Sequence, residues 1–351
     1  LYAQMMQLQG MNMWEFVFEY GLFAAKVATA VVAIGIVIAL ISGAARHKRS
    51  NDQLLVEDIS AQLRQQHQGL QLASASNDAE RKALKAQFKQ LAKQDKKAPT
   101  TLPRLYVLDF KGSMDAHEVT GLSKEITGLL QLATPEDEVL VRLESGGGVV
   151  HGYGLGAAEL ERIKARGLPL TVAVDKVAAS GGYMMACVAS RIVAAPFAIV
   201  GSIGVVAQLP NFNKFLKNKN IDVELHTAGD YKRTLTVFGE NDEQGRVKFQ
   251  QELEVIHQRF KDFITSNRPE LDVDRVATGE HWLASDAKTL GLVDELGTSS
   301  DYLLAQSKEK RVIQLRYQPK QTLKHKLTQA VEAGVSRSVM KLLSQAQQPF
   351  Q

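Results

Sequence analysis

Short apolar strands alternate with helices from residue 105 onward, and this alternation restricts the fold more than any other feature of the chain. The sequence predicts strands at 105–110, 138–143, 170–174, 192–195, 223–226 and 312–317, and helices at 119–132, 153–166 and 244–266. Strands that alternate with helices form right-handed βαβ units around a largely parallel sheet. The fold class is therefore α/β.

The least charged part of this region is the stretch 177–206, in which Arg191 is the only charged residue. It contains two serines flanked by glycine, Ser180 and Ser202. Ser180 suits a nucleophile on a sharp strand-to-helix turn, and a buried helix packed by small residues is the alternative that this stretch leaves open. Arg191 and the strand-like residues after it divide the stretch into pieces shorter than the ~20 residues of a membrane span. We therefore expect buried core.

Three glycine-rich segments follow predicted strands, at 146–148, 181–182 and 201–204. Open α/β sheets place their sites at the carboxyl ends of strands. Exposed backbone N–H groups there can hold an oxyanion or a phosphate. The sequence contains neither a P-loop nor a Gly-x-Ser-x-Gly motif, and it has no paired His or Cys clusters of the kind that bind zinc. No cofactor and no metal are predicted.

A serine nucleophile needs a base, and none of the eight histidines lies in a recognisable triad context. A lysine can serve instead when burial favours its neutral form. Lys232 follows a predicted strand and a turn, which suits a side chain directed at a site, although a solvated surface lysine is the ordinary alternative. The single cysteine, Cys187, is expected to be a small buried residue.

The chain has an uncharged apolar run at 27–45, which is about long enough to cross a bilayer as a helix. The basic cluster Arg46–Arg49 comes after the run, which favours an uncleaved anchor over a cleaved signal peptide. By the positive-inside rule the rest of the chain would be cytoplasmic. The net charge of +4 is small and its basic excess lies near the run, which indicates a membrane surface and not nucleic acid as the partner.

The polar region before residue 104 predicts one or two exposed helices, broken near 74–78. A Pro-containing segment at 98–103 then indicates a boundary. We expect five regions: a leader at 1–20, a transmembrane anchor at 21–45, a charged helical spacer at 46–103, the α/β domain at 104–318 and a C-terminal amphipathic helix at 319–351.

Five ordered motifs carry a resemblance to a known family. They are 144–148 (ESGGG), 178–183 (AASGGY), 200–205 (VGSIGV), 229–232 (GDYK) and 291–297 (GLVDELG). With these motifs the chain resembles the SppA/SohB family of membrane-associated serine peptidases, and it looks closest to the SohB branch. The resemblance implies a crotonase/ClpP-like fold, with 104–318 as a peptidase domain that uses a Ser-Lys dyad.

The resemblance also implies roles for individual residues. Ser180 would be the nucleophile and Lys232 the general base and then acid. The backbone N–H groups of Gly148 and Gly181 would form the oxyanion hole, and Ser202 would orient Lys232. The chain departs from the family pattern at Gly146, where the family usually has proline.

The implied function is a membrane-bound endopeptidase of the bacterial inner membrane that cleaves apolar extended peptides, such as signal-peptide remnants or misfolded envelope proteins. The resemblance implies a homo-oligomeric ring in which serine and lysine come from adjacent protomers. It favours a periplasmic domain, whereas the basic cluster after the anchor favours a cytoplasmic one. An acyl-CoA-handling crotonase-like enzyme and an inactive membrane scaffold are the alternatives.

Overall fold

The computed structural model describes residues 21–22, 25–27, 29, 53–97 and 102–319. The residues from Leu54 to Gln318 form one compact unit. The predicted leader, nearly all of the predicted anchor and nearly all of the predicted C-terminal helix lie outside the described residues. Within the described ranges, no helix has both the length and the apolar character that a membrane crossing requires.

Twenty helices and strands follow one another in the described part of the chain from residue 53 onward. In order they are β1 (Gln53–Asp58), α1 (Ile59–Ala73), α2 (Asp78–Lys97), β2 (Arg104–Lys111), α3 (Val119–Leu132), β3 (Glu138–Glu144), α4 (Val150–Ala165), β4 (Leu170–Val174), β5 (Val177–Ala179), α5 (Gly181–Ala186), β6 (Arg191–Ala194), β7 (Ile199–Gly201), α6 (Asn213–Lys217), α7 (Glu243–Asn267), α8 (Val273–Val276), β8 (His281–Leu283), α9 (Ala284–Thr289), β9 (Glu295–Leu296), α10 (Ser299–Gln306) and β10 (Arg311–Gln318).

A seven-stranded sheet with the order β1-β10-β2-β3-β4-β6-β9 forms the centre of the fold. The pairs from β10 through β9 are all parallel, with Val107 opposite Leu140 and Val141 opposite Val172 in the middle of the sheet. All five residues of β4 are buried, because helices cover both faces of a parallel sheet. The predicted α/β fold with a largely parallel sheet is confirmed.

A second sheet of three strands, β5-β7-β8, carries two of the glycine-rich segments, 181–182 after β5 and 201–204 at the end of β7. Strands β5 and β7 are parallel, and β8 runs antiparallel to β7. A single bridge between Ser145 and Ala178 joins the end of β3 to β5. The apolar stretch 177–206 is thus divided into three short strands and one short helix. Most of it is buried as expected, but Phe197 is 82% exposed and Val206 is 91% exposed.

Two parts of the chain differ from the sequence-based expectation. The strand predicted at 223–226 is wrong, since these residues are exposed and join no ladder in the described structure. Its alternation of Val223 and Leu225 with polar residues imitates a strand, but no neighbouring strand pairs with it. Strand β1 was not predicted, and it is fastened to β10 by Arg311, whose guanidinium lies 2.9 Å from the Asp58 carboxylate. The helices α1 and α2 and the break between them are confirmed.

One buried carboxyl lies between α3 and β10. Glu125 is 6% exposed, and its Oε1 accepts a hydrogen bond of 2.6 Å from the backbone N–H of Tyr317. Its Oε2 is buried and has no hydrogen-bond partner among the described residues. Burial, together with repulsion from Asp109, raises the pKa of Glu125 to about 7. The carboxyl is therefore a pH-sensitive element of the core.

Candidate active site

Ser180 lies on a tight turn between β5 and α5. Its backbone has φ 51° and ψ −118°, a region that residues other than glycine rarely adopt. The turn is held by a 2.8 Å hydrogen bond from the Ser180 N–H to the carbonyl oxygen of Gly201 in β7. Strained backbone of this kind costs about 1–3 kcal/mol and is concentrated at functional sites. The predicted strand-to-helix turn at Ser180 is confirmed.

Two backbone N–H groups next to this turn are free to bind a ligand. The N–H groups of Gly148 and Gly181 donate to no acceptor in the described part of the chain, whereas that of Gly147 donates to Ser145 Oγ at 3.1 Å. Gly148, Gly181 and Ser180 all line the same cavity. Free N–H groups beside a serine hydroxyl are what a tetrahedral oxyanion requires. The arrangement suits the predicted oxyanion hole, which stays a prediction.

The cavity has a volume of about 760 Å³. One part of its wall is apolar, and it includes Met114, Val149, Met184, Val205, Leu253 and Phe260. Polar groups from α7 and from the loop after β7 complete it, among them Ser202, Glu254 and His257. The Nε2 atom of His257 is buried and has no partner within the described residues. The cavity can therefore take an apolar chain that also carries hydrogen-bonding groups.

Lys232 is the predicted site residue that lies apart from this cavity. Ser180, Gly148, Gly181 and Ser202 line the cavity, but Lys232 does not. Its side chain is exposed, and its backbone N–H donates to Gly229 at 3.2 Å. A single chain therefore gathers the predicted nucleophile, oxyanion donors and orienting serine, without the predicted base.

The segment around Lys232 exposes many large apolar side chains. Between residues 206 and 238 the structure has one helix of five residues, α6. The exposed apolar side chains of this segment are Val206, Leu209, Phe212, Phe215, Ile221, Val223, Leu225, Tyr231 and Phe238. We call residues 206–238 the exposed apolar segment. Contiguous exposed apolar surface commonly marks an interaction site.

Comparison with known proteins decides the family. Residues 15–160 match the peptidase family S49 N-terminal domain, and residues 162–313 match peptidase family S49. A relative described as "Probable protease SohB" from Haemophilus influenzae is 46% identical over 330 residues, which cover 90% of this chain and 94% of the relative. The chain belongs to peptidase family S49. This S49 chain is a serine-type peptidase, and the acyl-CoA alternative is not supported.

This S49 peptidase is similar to further known proteins. "Probable protease SohB" from Buchnera aphidicola subsp. Acyrthosiphon pisum is 54% identical over 239 residues, which cover 68% of this chain and 71% of the relative. Among solved structures, the chain is similar to a mutant of the 1510-N membrane-bound stomatin-specific protease in complex with a substrate peptide. The two share 16% identity with a TM-score of 0.42, over 66% of this chain and 98% of the other.

The motif at 291–297 has a structural role in this S49 peptidase. Asp294 accepts hydrogen bonds of 2.6 and 2.8 Å from the guanidinium of Arg268 at the end of α7, and one of 2.7 Å from the N–H of Ile192 in β6. The hydroxyl of Tyr183 in α5 donates to the carbonyl oxygen of Leu292 at 3.1 Å. The motif thus connects α5, β6 and the end of α7 by hydrogen bonds.

Cys187 is buried in the core, as predicted. Burial raises the pKa of its thiol to about 12, so the nucleophilic thiolate does not form near neutral pH. Two residues of the site were not singled out from the sequence, Ser145 and Tyr153. Tyr153 lines the cavity and its hydroxyl hydrogen-bonds Ser145 Oγ. The sequence feature that could have indicated Tyr153 is its position one turn into the helix that follows the glycine-rich segment 146–148. A buried tyrosine hydroxyl there needs a hydrogen-bond partner.

Proposed function

We propose that this S49 peptidase is a membrane-bound endopeptidase in which Ser180 is the nucleophile and Lys232 the general base. The observation that carries the proposal is the position of Ser180 on a strained turn, at a cavity that it shares with the unpaired N–H groups of Gly148 and Gly181. The main parallel sheet, with a small second sheet that carries the nucleophile, supports a crotonase/ClpP-like fold.

The proposed reaction has two halves. Ser180 Oγ attacks the carbonyl carbon of the peptide while Lys232 Nζ takes the hydroxyl proton. The N–H groups of Gly148 and Gly181 bind the resulting oxyanion, which collapses to an acyl-enzyme as the leaving amine takes the proton from Lys232. Water then attacks the acyl carbon while Lys232 takes its proton. The bond between the acyl carbon and Ser180 Oγ breaks, Lys232 returns the proton to Oγ, and the second product leaves.

The apolar wall of the cavity supports apolar peptide side chains as substrate. Burying an apolar side chain against such a wall contributes roughly 1.5–3 kcal/mol. We therefore propose extended apolar peptides as substrates, such as signal-peptide remnants or misfolded envelope proteins.

Lys232 can act as base only if it is neutral and close to Ser180. A lysine becomes neutral near physiological pH when it is buried away from water. In one chain Lys232 is exposed and outside the cavity, within the exposed apolar segment. We propose that a second copy of the chain covers this segment in a homo-oligomeric ring. The partner subunit's Lys232 then reaches Ser180, through a head-to-tail interface.

Single substitutions test the dyad. Cleavage of an internally quenched apolar peptide by the purified full-length chain should fall at least about 1,000-fold in Ser180→Ala and in Lys232→Met, because each removes a group on which bond breaking depends. Lys308→Met changes an exposed lysine outside the exposed apolar segment and should leave the rate unchanged. Near-normal activity of Ser180→Ala would contradict the proposal.

Mixed oligomers test the shared site. In an equal, random mixture of Ser180→Ala and Lys232→Met chains, a site formed by two neighbours is intact with a probability of one half times one half. Roughly a quarter of wild-type activity should therefore return if the interface is head-to-tail. If mixed oligomers form and no activity returns, serine and lysine belong to the same chain.

We also propose that residues 21–45 anchor the peptidase in the bacterial inner membrane by a single span. The resemblance favours a periplasmic peptidase domain, and the basic cluster Arg46–Arg49 favours a cytoplasmic one. Protease added to spheroplasts digests the domain in the first case and leaves it intact in the second.

A further inference from the structure

We propose that Ser145 and Tyr153 are positioning residues, which hold the oxyanion-binding loop, residues 145–148, through one continuous chain of hydrogen bonds. The inference rests on the proposed function, since it concerns the N–H groups that would bind the oxyanion. Neither side chain has a part in the reaction as proposed above, and both act through the backbone.

The chain of hydrogen bonds has one direction. The backbone N–H of Gly147 donates to Ser145 Oγ at 3.1 Å, Ser145 Oγ bonds the hydroxyl of Tyr153, and that hydroxyl lies 2.8 Å from the carbonyl oxygen of Ser113. A carbonyl oxygen only accepts, so Tyr153 donates to Ser113. The oxygen of Tyr153 then accepts from the Ser145 hydroxyl, whose oxygen accepts from Gly147. Every proton is used once.

The hydrogen bonds of this series lie inside the protein. Ser145 is 2% exposed and Tyr153 is 0% exposed. Burial raises the pKa of the Tyr153 hydroxyl, which therefore stays protonated and available as a donor. Hydrogen bonds in a region of low dielectric are stronger than in water, and an unpaired polar group there is costly. The loop conformation is thus coupled to both hydroxyl groups.

The consequence for the loop is a fixed orientation of its N–H groups. The bond from Gly147 to Ser145 turns that N–H away from a ligand, and the next N–H, that of Gly148, is left without an acceptor in the described structure. One residue further on, the N–H of Val149 donates to the carbonyl oxygen of Met114 at 2.9 Å. The free N–H of Gly148 therefore lies between two anchored neighbours.

Tyr153 also supports the second predicted oxyanion donor. Its ring packs against the first turn of α5 so closely that a Cβ at Gly181 would lie 2.7 Å from the Cβ of Tyr153. One side chain therefore contacts Gly181 through its ring and the oxyanion-binding loop through its hydroxyl. Donors held in place before the reaction stabilise the transition state more than the bound substrate, so their loss lowers kcat and leaves KM nearly unchanged.

The test is a double-mutant cycle in the full-length enzyme, with Ser145→Ala, Tyr153→Phe and the double variant. Each single change should lower kcat about 10- to 100-fold and leave KM within threefold of wild type. This loss of kcat is smaller than the ~100- to 1,000-fold loss that follows removal of a whole oxyanion donor. Because both hydroxyls belong to one series of hydrogen bonds, the double variant should lose little more kcat than either single variant. Affinity for a peptide boronate, which forms a tetrahedral adduct with serine, should fall in parallel.

Tyr183→Phe is the matched control, since it removes another buried tyrosine hydroxyl that donates to a backbone carbonyl oxygen, at 3.1 Å. It should keep the wild-type kcat. The inference would be overturned if the kcat loss of the double variant equals the product of the two single losses. It would also be overturned by a rise in KM without a fall in kcat, or by an equal kcat loss in Tyr183→Phe. Labelling of wild-type Ser180 by a fluorophosphonate separates these outcomes from a failure of the proposed function, in which Ser180 is not labelled at all.

Discussion

Alanine at position 147 is expected to inactivate the peptidase, because the backbone of the oxyanion-binding loop touches the nucleophile's turn there. Gly147 has φ +87°, a conformation that costs another residue roughly 1–2 kcal/mol. A Cβ at this position would lie 2.7 Å from both the backbone nitrogen of Gly181 and the Cβ of Ser180, and 2.8 Å from the carbonyl oxygen of Ala179. Non-bonded carbons prefer about 3.5–4.0 Å, so one of the two segments must move by about 0.8 Å.

The displacement sets the expected magnitude. A misplacement of about 1 Å can lower a catalytic rate roughly 100-fold, and we expect a loss of kcat/KM of that order. Overpacking adds about 1–3 kcal/mol to the backbone strain, so the free energy of unfolding should fall by about 2–5 kcal/mol. Peptide cleavage measures the first effect, and urea unfolding of the full-length chain measures the second.

Gly146→Ala is the matched control, one residue earlier in the same loop. A Cβ at Gly146 meets no atom within 4 Å. Its activity should stay within threefold of wild type and its stability within about 0.5 kcal/mol. If Gly147→Ala keeps more than a third of the wild-type activity and the wild-type unfolding midpoint, the close approach of the loop to Ser180 is refuted.

Three further predictions concern residues outside the proposed reaction. Wild-type stability should fall as the pH rises from about 4.5 to about 7, because the Glu125 carboxyl loses its proton near 4.5 when unfolded and near 7 when folded. Glu125→Gln should remove this contribution, about 2.5 kcal/mol between urea titrations at pH 5 and pH 8, and a Glu125→Gln variant that loses as much stability as wild type over this pH range would contradict it. Asp294→Asn should lower the unfolding free energy by about 1 kcal/mol, since Arg268 loses a charged acceptor that solvent partly screens, and equal urea midpoints would count against that role. Cys187→Ala should keep full activity, and iodoacetamide should leave folded wild-type Cys187 unmodified, whereas rapid alkylation would show that the thiol is accessible.

Much of the fold was predictable because local pattern and tertiary packing agree. The helix predicted at 119–132 has those bounds in the structure, and the strand at 170–174 is buried along its whole length. Agreement fails where pairing is decided by distant residues. Strand β1 has only three apolar residues among its six, and it lies beside β10, where the guanidinium of Arg311 donates to Asp58 across 253 residues of sequence. No local pattern encodes such a contact.

The site was predictable in part for the same reason. Small residues on both sides of Ser180 indicate a sharp turn, and the structure has it. The link from Ser145 through Tyr153 to Ser113 joins the ends of β2 and β3 to α4, which only the folded sheet brings together. The position of Lys232 relative to Ser180 depends, in the proposed assembly, on a neighbouring copy, so neither the sequence pattern nor a single chain fixes it.

The most direct test of the account is to identify the residue that a fluorophosphonate probe modifies in the detergent-purified, full-length peptidase. Digestion and tandem mass spectrometry should locate the adduct on Ser180, excess peptide substrate should slow its formation, and Ser180→Ala should form none. An adduct on another residue that persists in Ser180→Ala, or no adduct in a preparation that cleaves peptides, would contradict the assignment of Ser180 as the nucleophile.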